Sequence, residues 1–146
     1  MKRILLVLAT VFSLGVFNAS ADNDKIIAKE ALPADAQAFI NTHFAGSKVS
    51  YAKLERDLFE QSYEVVFTDG VKLEFNRKGV WKDVDCRYGE VPSAIVPQAI
   101  RDYVKANYPD AKILKIERNS RDYDVKLSNR LELTFDKRYN IIDIDD

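Results

Sequence analysis

The stretch Tyr63–Asp85, YEVVFTDGVKLEFNRKGVWKDVD, returns sixty residues later as Tyr123–Asp145, YDVKLSNRLELTFDKRYNIIDID. Tyr63, Val65, Leu73, Phe75, Asp83 and Asp85 recur as Tyr123, Val125, Leu133, Phe135, Asp143 and Asp145. Within each stretch apolar residues alternate with polar ones, the period of a half-buried strand. Thr68-Asp69-Gly70 and Asn76 to Gly79 supply turn chemistry between the runs, so each stretch predicts a three-strand antiparallel meander. A further strand is expected before each meander, at Lys48 to Leu54 and Lys112 to Arg118. Its inward parity is ambiguous, because Val49 and Tyr51 favour one face whereas Leu114 and Ile116 favour the other; a β-bulge would reconcile them.

Helical spacing precedes each set of strands. After Leu32-Pro33, the residues Ala36, Phe39, Ile40 and Phe44 fall on one helix face, and after Val96-Pro97 so do Ile100, Tyr103, Val104 and Tyr108. Asp22 to Glu30 reads as a short helix or an extended lead-in. The expected fold class is therefore α+β: a tandem duplication of a helix plus a four-stranded antiparallel sheet, in two layers, and two such units side by side could pool their strands into one sheet of eight. The expected boundaries are 22–86 for the first repeat, 87–92 for a linker and 93–146 for the second.

The first 21 residues are expected to be a signal peptide. Lys2 and Arg3 precede an apolar run, Ile4 to Phe17, and Ala19-Ser20-Ala21 is a small-x-small cleavage site. The run falls short of the roughly 20 apolar residues a membrane span needs, so no membrane insertion is expected after cleavage, and the location is periplasmic or secreted. Cleavage leaves 20 Lys and Arg against 23 Asp and Glu. That mildly acidic, mixed surface argues against a nucleic-acid partner. Cys86 is the only cysteine, so no internal disulfide is available, and it reads as a buried residue at a strand end.

No constellation spells a reaction. His43 is the single histidine, placed near a helix C-terminus, and no nucleophile motif accompanies it; no catalytic residue is assigned. One His and one distant Cys do not make a metal site, and no cofactor is expected. Asp83/Asp85 and Asp143/Asp145 occupy alternate strand positions, so each pair shares a face about 7 Å apart. Such carboxylates suit Ca²⁺ or cross-strand pairing with Lys72 or Lys126, and the second is the simpler reading.

If Tyr63, Val65, Phe67, Val71, Leu73 and Phe75 face the helix, then Glu64, Val66, Lys72, Glu74 and Trp81 face away. Trp81, Val66 and Tyr51 on that open face are candidate binding residues, because aromatic groups supply much of interface energy. Leu58 and Phe59, in a loop that is longer in the first stretch than in the second, are further candidates; the alternative is that they fold back over the sheet edge.

Leu32-Pro33 and Val96-Pro97 opening the helices, Tyr63-Glu64-Val65 and Tyr123-Asp124-Val125, Leu73-Glu74-Phe75 and Gly79-Val80-Trp81-Lys82-Asp83-Val84-Asp85 together resemble the bacterial PepSY-like, β-lactamase-inhibitor-like family. The resemblance covers nearly all of the chain after the signal and implies tandem helix-plus-sheet units, export and no enzymatic activity. No target-gripping loop can be carried over residue by residue, so β-lactamase inhibition is not implied. The expected role is a non-enzymatic binding module contacting a protein or envelope component through the open sheet face or loops. The alternative is a small-ligand or Ca²⁺ binder using the cleft between repeats.

Overall fold

Nine strands, each hydrogen-bonded to its neighbours in chain order, form one antiparallel sheet in the computed structural model, which describes residues 23–146. The expected signal peptide lies outside the described residues. The strands are β1 (Lys25–Ile27), β2 (Val49–Arg56), β3 (Gln61–Phe67), β4 (Lys72–Asn76), β5 (Trp81–Asp85), β6 (Ile113–Arg118), β7 (Asp122–Leu127), β8 (Glu132–Asp136) and β9 (Ile141–Asp145). Two α-helices occur among the described residues, α1 (Ala34–His43) before β2 and α2 (Gln98–Asn107) before β6, each of ten residues.

The α+β reading of two tandem helix-plus-four-strand units is thereby overturned: the fold is mostly β, with one continuous sheet. Two features make it so. β5 pairs antiparallel with β6 through Asp83↔Glu117, Val84↔Ile116 and Asp85↔Lys115, closing the edge at which a separate four-stranded unit would have ended. An open edge there would leave a row of backbone donors and acceptors unpaired. At the other end the extended alternative for Asp22 to Glu30 is the one that holds at Lys25–Ile27, which goes further and pairs as a strand on the edge of β2, registered Ile27↔Ala52, and a single 3₁₀ turn at Lys29–Ala31 leads from it to α1.

Register puts the core on one side. Ile27, Ala52, Val65, Leu73, Val84, Ile116, Val125, Leu133 and Ile144 are successive direct partners across all nine strands. From Val65 to Leu133 every member of this row is fully buried, each contributing roughly 1.5–3 kcal/mol of apolar burial. Both helices pack on that row. Ala36 and Ile40 of α1 and Ile100 and Val104 of α2 belong to the same core, Phe39 meets Phe75 edge-on at 5.5 Å, and Tyr103 meets Phe135 likewise at 5.3 Å. Pro33 and Pro97 stand at the N-caps, where a missing N–H costs nothing. The ambiguous parity of the strands before the meanders is settled by bulges between Val49 and Tyr51 and between Ile113 and Lys115. Cys86 is free, 3% exposed, and buried just past the end of β5, where burial pushes its thiol up to about 11.

Candidate functional site

With both helices on one face, the other face of the sheet is left to charged side chains. Five acids on five consecutive strands stand directly opposite one another: Glu64, Glu74, Asp83, Glu117 and Asp124. Like charges in such positions repel, and the neighbouring rows answer with lysines. Lys72 Nζ reaches Glu64 at 2.9 Å, Lys115 reaches Asp83 at 3.2 Å, and Lys82 lies 3.6 Å from Glu74. Burial pushes the Glu64 carboxyl upward, but hydrogen bonds from Lys72 and from the Tyr51 hydroxyl, 3.0 Å away, more than offset it and hold the group below its ordinary range. Asp83 goes the other way. Burial dominates, Glu117 and Glu74 add repulsion, and Lys115 compensates only in part, so its carboxyl rises to about 6; its Oδ1 is buried with no hydrogen-bond donor among the described residues.

The five residues singled out from the sequence separate into three places. Tyr51 and Val66 are direct partners on β2 and β3 and lie together on the open face, Tyr51 38% exposed. Leu58 and Phe59 occupy the β2–β3 hairpin tip, at the far end of the same strands and roughly 20 Å away by strand rise. They do not fold back over the sheet edge: they are 92% and 97% exposed. The tip is nonetheless held in shape, because Asp57 Oδ1 accepts the N–H of Phe59 at 2.8 Å and of Glu60 at 2.7 Å, and Glu60 accepts from Lys82 at 2.7 Å. Trp81 is not on the open face. A bulge in β5 makes it the partner of Phe75, on the helix side, where it packs against the core.

Sequence reasoning missed what Trp81 carries. The guanidinium of Arg118, the last residue of β6, lies 3.8 Å from the centre of the Trp81 ring, and its Nε donates to the Trp81 carbonyl at 2.8 Å. Lys137 stands over the Tyr123 ring at 4.3 Å. These four residues line a groove of about 420 Å³ at the hairpin end of the sheet, between β5 and the β6–β7 and β8–β9 turns. The only sequence signal for it would have been the pairing of β5 with β6, which no local pattern announces.

Three solved structures resemble this one closely. A protein of Bacteroides thetaiotaomicron, named a "putative calcium-regulated periplasmic protein", is 57% identical with a TM-score of 0.84, covering 86% of this chain and 99% of that one. A "putative periplasmic protein" of Bacteroides vulgatus gives the same identity, TM-score and coverage. A second B. vulgatus periplasmic protein, of unknown function, is 44% identical with a TM-score of 0.81, covering 84% of this chain and 99% of that one. No curated protein matches the chain. In keeping with these relatives the chain is a periplasmic or secreted protein, and none of the described helices is long and apolar enough to cross a membrane. Residues 61–143 match the family model described as "putative beta-lactamase-inhibitor-like, PepSY-like". On that match and on the 57% identity, the chain belongs to the PepSY-like family.

Proposed function

We propose that this protein is a non-enzymatic binding module that captures a polypeptide of the cell envelope through the β2–β3 hairpin tip. The observation that carries the reading is the adjacent pair Leu58 and Phe59, almost wholly exposed on a turn that Asp57 and the Glu60–Lys82 bridge keep in one shape. Two large apolar side chains carried into water on a hydrogen-bonded turn lower the backbone ordering cost of binding and offer the apolar centre an interface needs, with charge around it. Tyr51 and Val66 form a second, smaller apolar point on the open face. The side chains most suited to chemistry are placed elsewhere. His43 packs its ring against Phe39 at 4.7 Å, and the Cys86 thiol is buried and protonated.

Replacing Leu58 and Phe59 together by Ser tests this. Affinity capture from an envelope extract, followed by identification of the bound polypeptide and direct titration with it, is expected to show at least a tenfold loss of affinity, the scale of a lost hot spot. Unfolding free energy should change by less than about 0.5 kcal/mol, as for exposed positions generally. Equal capture by both proteins overturns the reading.

The name of the B. thetaiotaomicron relative raises calcium as an alternative, and the fit is poor. Among the described residues no group of three or more His, Cys, Asp or Glu side chains is arranged to hold a metal ion. The nearest approach, the acid row, already has Lys72, Lys82 and Lys115 between its carboxylates. Calcium would have to displace them and gather six or more oxygens.

A further inference from the structure

We propose that the groove between Trp81 and Tyr123 is a binding site for an oxyanion, a carboxylate or phosphate group, held by Arg118 and Lys137. The argument begins with Arg118. Its guanidinium is partly buried, with one face on the Trp81 ring and Nε spent on the Trp81 carbonyl. Among the described residues no carboxylate lies within ion-pair distance of it or of Lys137, although nearly every lysine of the open face has one. A guanidinium fixed by ring stacking, a backbone carbonyl and the neighbouring Tyr123 hydroxyl keeps its remaining N–H groups in a preset direction, ready for the oxygens of an anion. Removing it partly from water without an anion is costly, and the ring face recovers only part of that cost.

The rest of the groove agrees. Lys137 is set over Tyr123 across the same space, and Ser120 stands at its rim beside Asn119, whose side chain braces the β6–β7 turn. Among the described residues that line the groove the one carboxylate is Glu60, which is engaged by Lys82 at 2.7 Å; Asp122, just outside, is held by Asn119 at 2.6 Å. The turns that frame the groove also carry Arg121 and Arg138. At about 420 Å³ the space suits a small molecule or a single side chain. A positive, aromatic-walled groove of this kind favours anionic ligands by both contact and field.

Trp81 is the only tryptophan in the chain, so its emission reports directly on the groove. Phosphate and citrate are titrated into the protein at constant ionic strength, with chloride as control. The expected result is a saturable change in Trp81 emission with phosphate or citrate, half-complete at millimolar concentration or below, and absent with chloride. Lys137→Gln leaves the Arg118–Trp81 stack intact and should weaken binding severalfold; Arg118→Gln should abolish it, with calorimetry as a readout independent of the altered fluorescence. Saturation only by citrate would identify a carboxylate ligand, and by phosphate alone a phosphate ligand. A linear response, or equal affinity in the wild type and both variants, overturns the proposal. Because the readout is Trp81 and not capture of a polypeptide, its failure would leave the role of Leu58 and Phe59 standing.

Discussion

Asp83→Asn should make the protein more stable at neutral pH, although it removes one end of an ion pair. Asp83 has Glu74 and Glu117 as direct cross-strand partners and Lys115 as its near counter-ion at 3.2 Å, with Lys72 and Arg87 acting at longer range. Its side chain is 17% exposed. Burial, followed by repulsion from Glu117 and Glu74, lifts its carboxyl from an ordinary 3.8 to about 6 against the pull of Lys115. A raised acid binds more protons folded than unfolded between those two values, so stability is fully present below about pH 4 and is lost as pH rises through about 6. A rise from 3.8 to about 6 corresponds to about 3 kcal/mol, and water at the rim of the row reduces this to about 1–3 kcal/mol. Asparagine cannot ionise and escapes the loss. Urea unfolding of both proteins at about pH 4 and about pH 8 isolates the effect, since the other carboxylates cancel in the double difference. The variant should gain about 1–3 kcal/mol relative to wild type between the two conditions. No gain, or a relative loss at the higher pH, would mean that Lys115 holds Asp83 ionised at no cost and would refute the reasoning.

Two further outcomes are expected. Gly79, at φ +85°, lies where an added Cβ would come within 2.8 Å of the Pro33 Cβ and 2.9 Å of the Ala36 backbone nitrogen. Gly79→Ala should therefore cost about 2–5 kcal/mol in denaturant unfolding, combining a left-handed backbone with overpacking against α1. Gly70→Ala meets only the side chain of Tyr88, which is 80% exposed and can move, and should cost about 1 kcal/mol; equal costs would show that α1 does not press on the turn. Intact-mass measurement of protein from an envelope fraction is expected to find Asp22 at the N-terminus, from the Ala19-Ser20-Ala21 site, and an uncleaved Met1 in the cytoplasm would overturn that expectation.

What was legible in the sequence is what depends on neighbours in sequence. Alternation in Tyr63–Phe67 and Val71–Phe75 identified strands, and the buried partners Val65 and Leu73 follow from it. Pro33 and Pro97 marked the helix starts. A pooled sheet of eight strands is open to sequence reasoning, but neither the join that makes it nor the ninth strand is legible: β5 meets β6 across the whole α2 connection, and the three-residue β1 has no alternation long enough to read. The acid row on the open face is a product of the same joins. Glu64, Glu74, Asp83, Glu117 and Asp124 are scattered in sequence and become a line only once every register is known.

Trp81 shows how one extra residue redirects a functional argument. Counting back by twos from Asp85 puts Trp81 on the same face as Asp83, the open face, and makes it an interface candidate. The pairing runs otherwise: Glu74 faces Asp83 and Phe75 faces Trp81, so Lys82 is the residue left over. A bulge of this kind lets two consecutive positions serve one face. Lys82 and Asp83 both reach the charged row, Lys82 toward Glu74 and Glu60, while Trp81 turns to the helix side and becomes the wall on which Arg118 stacks. The residue that alternation assigns to a flat protein interface is therefore half of a groove, and the apolar contact area available to a polypeptide shifts to Leu58 and Phe59, which face water on a hydrogen-bonded turn.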